Sequence, residues 1–189
     1  MDKDLQQQPS NCIKIVFFGP ESTGKTTLAK QLAEHYQTQW VPEFARDYLQ
    51  RKYDDSGIIC EEKDLIPIAI GQIDLENKLA VLANKVLFCD TNVLQTYCYA
   101  QVYYNNFKNE RLEQAVQKHQ YTYYFLTDID VPWEADDLRD KPNERQAMFS
   151  HFERALQKNN LPYTQLSGSL NTRLELAKKQ IDKLLSNDQ

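Results

Sequence analysis

The residues best suited to chemistry lie in one short segment, in which Gly19, Gly24, Lys25 and Thr26 fit the pattern GxxxxGK[ST]. In this pattern the glycines let the backbone wrap closely around a phosphate, the lysine reaches the β- and γ-phosphates, and the hydroxyl ligates Mg²⁺. The start of a following helix adds free N–H groups and a partial positive charge. The segment therefore predicts a nucleoside triphosphate site, whose residues are Gly19, Glu21, Ser22, Thr23, Gly24, Lys25, Thr26 and Thr27.

Two predicted elements place this segment where its function requires it. Residues 13–18 form a β-branched and aromatic run that predicts a buried strand, and residues 25–36 have their apolar side chains on one helical face. A phosphate-binding loop needs a strand before it and a helix after it. A glycine turn that matched the pattern by chance would lack both.

Strands and helices are predicted to alternate along the rest of the chain. The pattern predicts a P-loop NTPase fold of the α/β class, in which a five-stranded parallel sheet carries helices on both faces. The further strands are predicted at residues 39–41, 85–90, 121–126 and 162–166. The further helices are predicted at residues 43–53, 63–83 (with an interruption near Pro67), 92–104, 109–119 and 171–185, and one more helix is predicted to follow a cap at Asn143. Residues 1–11 are predicted to be a flexible tail, 54–57 a loop, and 12–189 a single domain.

Composition excludes several functional classes. The 189 residues carry 22 Lys and Arg against 27 Asp and Glu, a net charge of −5, which argues against nucleic acid or an anionic membrane as a partner. No apolar run approaches the ~20 residues that span a bilayer, and the polar N-terminus does not resemble a signal peptide. Four scattered cysteines lack the spacing of a zinc or redox site. We therefore expect a cytoplasmic protein, and the sequence leaves a homo-oligomer open.

Two acidic residues are candidates for the reaction centre. Asp90 ends the third predicted strand, where open α/β sheets bind ligands, so it is predicted to organise Mg²⁺ or orient an acceptor hydroxyl. The alternative for Asp90 is a helix N-cap. Glu43 follows the second strand, and Arg46 lies one helical turn further on. They are predicted to act as general base and as a ligand for a hydroxyl or phosphate oxygen, with a surface ion pair as the alternative. The sequence does not decide whether Glu43 or Asp90 is the base.

A charged segment at residues 132–145 predicts a lid, with bounds at about 130–145. A mobile arginine can neutralise the charge that spreads over the γ-phosphate, and Arg139 is preferred to Arg145 for this role. A solvated charged loop is the alternative. After the fifth strand, Arg173 is predicted to stack on adenine, and Asn171 is a candidate helix cap. The tyrosine-rich stretches at 97–104 and 121–124 are predicted to be core and rim.

A P-loop alone does not distinguish kinases, GTPases and motors. The guanine-reading pattern [NT]KxD fails at Leu87, since the segment reads Asn84-Lys85-Val86-Leu87. An AAA+ machine needs a further helical domain, for which the chain has little room. Small P-loop kinases remain.

Five segments resemble the ribosylnicotinamide kinase domain of the NadR family. They are GPESTGKTT (19–27), PEFARDYL (42–49), IAIGQ (68–72), NKVLFCDTN (84–92) and PWEADDLR (132–139). With Gly168 and Arg173 they span nearly the whole chain in the family's order. The resemblance implies a kinase that uses ATP and Mg²⁺ to phosphorylate the 5′-hydroxyl of nicotinamide riboside, giving NMN.

We predict a role for each candidate residue. The catalytic residues would be Lys25, Glu43, Asp90 and Arg139, and the metal ligands Thr26 and Asp90. ATP would contact the loop residues, Arg139 and Arg173, and the small-molecule acceptor would contact Glu43, Arg46, Asp90 and Trp133.

The chain also departs from the family. In family members two aromatic residues stack on nicotinamide. The corresponding positions here hold Pro42 and, approximately, Lys78, and Trp40, Tyr36 or Trp133 are candidates to replace the aromatic residues. No segment corresponds to the family's adenylyltransferase domain, so we expect another enzyme to convert NMN to NAD. Other predicted substrates are a thiamine-like alcohol or a nucleoside. A nucleotide-switched ATPase module is the alternative outside the kinases.

Overall fold

The central layer of the protein is a parallel β-sheet. The computed structural model describes residues 3–139 and 142–187, without the side chains of Lys3 and Pro142. Within these residues the sheet has five strands in the order β2-β3-β1-β4-β5. Their bounds are Ile13–Phe18 (β1), Trp40–Val41 (β2), Val86–Asp90 (β3), Tyr123–Thr127 (β4) and Tyr163–Leu166 (β5). The predicted fold class is confirmed.

Helices follow the strands and cover both faces of the sheet. Their bounds are Lys25–His35 (α1), Phe44–Ser56 (α2), Leu65–Ala80 (α3), Val93–Tyr103 (α4), Glu110–Lys118 (α5), Arg145–Lys158 (α6) and Leu170–Asn187 (α7). Short 3₁₀ turns lie at Lys3–Leu5, Glu62–Asp64 and Pro142–Glu144. None of the helices in the described part of the chain is long and apolar enough to cross a bilayer.

Strand β1 is buried on both sides because it is central. Ile15 and Phe17 pack with α1 and α7, whereas Val16 and Phe18 pack with α4 and α6. The parallel register pairs Phe17 with Asp90, so β1 and β3 end side by side. The loop after β1 and the carboxylate at the end of β3 therefore meet at one edge of the sheet, as in other open α/β folds.

Several predicted boundaries are wrong for local reasons. Helix α2 continues through residues 54–56, predicted to be loop, and is followed by Gly57, whose φ of 70° is left-handed. Pro67 does not interrupt α3, because it is the third residue of the helix, where an N–H would have no intrahelical acceptor. Asn143 lies in a 3₁₀ turn, and Glu144 precedes α6 instead.

The N-terminal segment contacts the domain from Leu5 onward. Leu5 is 2% exposed, and its carbonyl oxygen lies 2.8 Å from His119 Nε2. Gln7 Nε2 donates to Glu76 Oε1, which also accepts from the buried Lys14 ammonium group. These contacts differ from the predicted flexible tail, since polar side chains in a short segment do not reveal distant partners. Met1 and Asp2 lie outside the described residues.

Candidate active site

A cavity of about 830 Å³ lies at the carboxyl edge of the sheet. The loop after β1 forms its floor, Asp90 lies at the end of β3, and the start of α2 forms one wall. From the predicted lid, the lining residues are Val131, Pro132, Glu134, Leu138 and Arg139. Asp140 and Lys141 of that segment lie outside the described residues. The size suits a small-molecule site.

The loop between β1 and α1 depends on two glycines. Gly19 has a φ of 132°, and a Cβ there would lie 2.9 Å from Thr127 Oγ1. Gly24 has a φ of 84° and immediately precedes α1. L-residues rarely adopt these conformations, so the glycines allow the loop to turn with its N–H groups near the cavity.

Lys25 extends along the inner side of this loop. Its ammonium group donates to the carbonyl oxygens of Gly19 at 3.0 Å and Pro20 at 2.6 Å, and the residue is 7% exposed. Burial lowers the pKa of Lys25, while the nearby charges of Glu43 and Asp90 raise it. An anionic phosphate here would favour the charged ammonium form.

Thr26 and Asp90 lie together as the metal prediction requires. Thr26 Oγ1 donates a short hydrogen bond to Asp90 Oδ2, and Asp90 is 1% exposed. Asp90 Oδ1 has no hydrogen-bond partner among the described residues, although it is buried. Asn92, not Asp90, caps α4 by accepting from the Gln95 N–H. A carboxylate with a free oxygen beside a hydroxyl fits Mg²⁺, which binds few protein ligands when phosphates supply the rest.

Glu43 lies at the start of α2 and lines the cavity opposite the loop. Burial, followed by the nearby charge of Asp90, raises the pKa of Glu43 to about 7, against the lowering effect of Lys25. Burial also raises the pKa of Asp90. A carboxyl that titrates near neutral pH can exchange a proton with a bound hydroxyl.

Gln72 fixes the backbone around Glu43, and sequence reasoning did not assign it a role. Its Oε1 accepts from the Phe44 N–H at 2.8 Å, and its Nε2 donates to the Pro42 carbonyl at 3.3 Å. Gln72 is 2% exposed. The segment IAIGQ contained this residue, but nothing in its periodicity indicated the contact with α2.

The raised pKa of Glu43 predicts a gain in stability when its charge is removed. Because the folded-state pKa lies above the usual value of 4.5, protonation stabilises the fold, and this contribution is lost as the pH rises through about 7. Glu43→Gln is therefore expected to raise Tm by about 2 to 6 °C at pH 8, and by less than half as much at pH 5. Thermal unfolding at both pH values measures this, with Glu34→Gln on the exposed side of α1 as control. An equal shift at both pH values would contradict the assignment.

Asp136 joins the two candidate arginines at the mouth of the cavity. Its carboxylate lies 2.9 Å from Arg46 Nη2 and 3.0 Å from Arg139 Nε. Arg139 also donates to the Glu134 carbonyl oxygen at 2.5 Å. The residues 131–139 are thereby tied to α2, and both arginines line the cavity. Their contact with a phosphate oxygen stays a prediction.

Arg145 and Trp133 attach the same segment to the phosphate loop. The Arg145 guanidinium donates to Val131 O at 3.0 Å and Ser22 O at 3.2 Å, and it lies 5.6 Å from the centre of the Trp133 ring. The Glu134 N–H donates to Ser22 Oγ at 2.9 Å. Trp133 was predicted to contact the substrate, but it is not among the described residues that line the cavity. Its ring packs on Arg145 instead.

Arg173 connects three loops and is 2% exposed. It donates to the carbonyl oxygens of Thr23 at 2.8 Å, Gly168 at 3.1 Å and Asp128 at 3.2 Å, and it pairs with Asp130. This geometry holds the phosphate loop in place, while adenine stacking by Arg173 stays a prediction. The cap prediction for Asn171 is wrong, because Asn171 lies within α7 and Ser169 Oγ accepts from the Thr172 N–H.

An aromatic wall lies beside Glu43. The cavity is lined by Tyr99 and Tyr103 of α4, by Tyr104 directly after α4, and by Trp40 of β2. Sequence reasoning placed these tyrosines in the core and rim, because helical spacing does not show which face borders a cavity. Lys78 is exposed on α3 and is not among the described residues that line the cavity.

Comparison with known proteins places this chain in a family. The model of the family AAA_28, described as an AAA domain, matches residues 14–173. The chain belongs to this family. The trifunctional NAD biosynthesis/regulator protein NadR of Salmonella typhimurium is 26% identical over 151 residues, which are 79% of this chain and 37% of that protein. The resemblance inferred from the segments is thereby confirmed.

Solved structures show the same fold. A NadR protein in complex with NR has a TM-score of 0.72 and 22% identity, over 92% of this chain and 49% of that one. Deoxyadenosine kinase from M. mycoides with dCMP and dCDP has a TM-score of 0.65 and 14% identity, over 90% of this chain and all of that one. The fold is that of P-loop kinases. The chain spans less than half the length of the curated NadR protein.

Proposed function

We propose that the protein is a kinase that transfers the γ-phosphoryl group of ATP to the 5′-hydroxyl of nicotinamide riboside, giving NMN and ADP. One observation carries this proposal: Lys25, the Thr26–Asp90 pair and Glu43 face the same cavity from three separate elements. A triphosphate group and an acceptor hydroxyl would meet between them. The relationship to NadR supports the choice of reaction.

Each residue then has a defined task. Loop N–H groups and Lys25 bind the β- and γ-phosphates, and Arg139 neutralises charge on the γ-oxygens. Glu43 accepts the proton of the acceptor hydroxyl while the hydroxyl oxygen forms a bond to the γ-phosphorus. The bond from the γ-phosphorus to the β,γ-bridging oxygen breaks, and ADP is released. Thr26 and Asp90 would hold Mg²⁺, which would further neutralise the phosphate charge when bound.

The acceptor half of the cavity suits a flat, positively charged ring. Trp40, Tyr99 and Tyr103 line the cavity as aromatic residues, and Glu43 adds a nearby carboxyl. Pro42 replaces the aromatic residue expected from the family, whereas the tyrosines lie on the adjoining wall. Lys78 is not among the described residues that line the cavity, whereas Lys30 is, with its Nζ 5.1 Å from the centre of the Trp40 ring.

The acceptor is tested with a panel of alcohols. The pure protein is incubated with ATP, Mg²⁺ and nicotinamide riboside, thiamine or a common nucleoside, and the release of ADP is followed. We expect nicotinamide riboside to give the highest kcat/KM, at least about tenfold above that of an uncharged nucleoside, because one buried charged contact is worth that much. A higher kcat/KM for thiamine or a nucleoside would show that this compound, and not nicotinamide riboside, is the acceptor. ADP release independent of any acceptor would indicate a nucleotide-switched ATPase.

A further inference from the structure

Gln95 is a buried polar residue on the cavity wall that has no role so far. It lies in the first turn of α4 and is 1% exposed. Its Oε1 accepts a hydrogen bond of 3.2 Å from the Gly19 N–H. Only the oxygen of an amide can accept from an N–H, so this contact fixes which way the amide faces.

The other end of the same amide is unpaired. Gln95 Nε2 is buried and has no hydrogen-bond partner in residues 3–139 and 142–187. A buried donor without a partner costs free energy, and native proteins rarely retain one without a reason. Since Gln95 lines the cavity, a bound molecule can supply the missing acceptor.

The backbone holds this amide firmly beside the phosphate loop. Thr91, directly after β3, has a φ of 73° and is 4% exposed, and its N–H donates to Phe17 O at 3.1 Å. Left-handed backbone is unfavourable for a β-branched residue and marks a constrained turn. Asn92 then caps α4 through the Gln95 N–H. Because Oε1 and Nε2 share one carbon, Nε2 lies next to Gly19, whose carbonyl oxygen accepts from Lys25.

We propose that Gln95 Nε2 donates a hydrogen bond to the γ-phosphoryl group, which makes Gln95 a catalytic residue together with Lys25. A rigid donor beside the phosphate loop stabilises the negative charge on the γ-phosphoryl oxygens during transfer. The assignment rests on the proposed function only in that a triphosphate occupies the loop. It does not depend on the identity of the acceptor.

Nucleotide binding tests this contact without any acceptor. ADP lacks the γ-phosphoryl group, whereas the non-hydrolysable analogue AMP-PNP carries it, so the ratio of their affinities reports the contact. Gln95→Met removes the donor at similar size, and Gln95→Glu keeps an oxygen for the Gly19 N–H. We expect Gln95→Met to weaken the binding of AMP-PNP by about 10- to 100-fold and that of ADP by less than threefold. Gln95→Glu, whose added charge repels phosphate, should weaken the binding of AMP-PNP more than that of ADP. Gln101→Met, on the exposed side of the same helix, is the control.

Calorimetric titrations with Mg²⁺ and melting temperatures give the readouts. If Gln95→Met does not fold, the isosteric Gln95→Glu supplies the measurement. An equal loss of affinity for AMP-PNP and ADP would mean that Gln95 only supports the loop. Unchanged affinities for both nucleotides with a raised KM for the acceptor would mean that Nε2 contacts the acceptor. Either result overturns the assignment. Wild-type protein that binds neither nucleotide would overturn the proposed function itself.

Discussion

Lys25→Ala is expected to reduce phosphoryl transfer by about 10³-fold or more. Lys25 is buried, and its ammonium group lies on the inner side of the loop, 3.0 Å from Gly19 O. Alanine removes the one positive charge that the loop itself supplies to the β- and γ-phosphates, where charge develops during transfer. The measurement is kcat and KM for ATP with a saturating acceptor.

A matched control separates this effect from a general change in charge. Lys118→Ala, at the exposed C-terminal end of α5, removes the same charge far from the loop and should leave kcat unchanged. If Lys25→Ala retained full activity in a correctly folded protein, the assignment of the phosphate loop would be wrong.

Glu43→Gln is expected to lower kcat by about 10²- to 10⁴-fold, because a general base contributes that much. Glutamine keeps the shape of the side chain but cannot take the proton. With a pKa of about 7 for Glu43, log(kcat/KM) of the wild type should fall with a slope of one below about pH 7. The variant should lose this dependence, since its side chain does not titrate.

Asp90→Asn distinguishes the two carboxylates. Because Asp90 lies against Thr26 Oγ1, its loss should raise the Mg²⁺ concentration needed for half-maximal activity, whereas Glu43→Gln should not. A fall of less than threefold in kcat for Glu43→Gln would move the base to Asp90.

The sequence predicts the phosphate site because its determinants are local. Gly19 and Gly24 are required by the backbone of a single loop, and the strand and helix beside it have clear periodicities. Asp90 could be placed next to this loop because parallel strands end at the same edge. These parts needed no knowledge of distant contacts.

The remaining parts of the site depend on contacts between distant residues. Gln95 meets Gly19 across 76 positions, and Arg173 meets Thr23 across 150. Gln72 reaches the start of α2 from another helix. No spacing pattern indicates such pairs, so these contacts of Gln95, Gln72 and Arg173 could not be predicted from the sequence.

The most direct test follows the labelled γ-phosphoryl group of ATP. The protein is incubated with γ-³²P-ATP, Mg²⁺ and nicotinamide riboside, and the products are separated. Our account predicts that the label appears in the mononucleotide, and that Lys25→Ala abolishes its appearance. Label found only in inorganic phosphate, at a rate that the acceptor does not change, would contradict the proposed kinase.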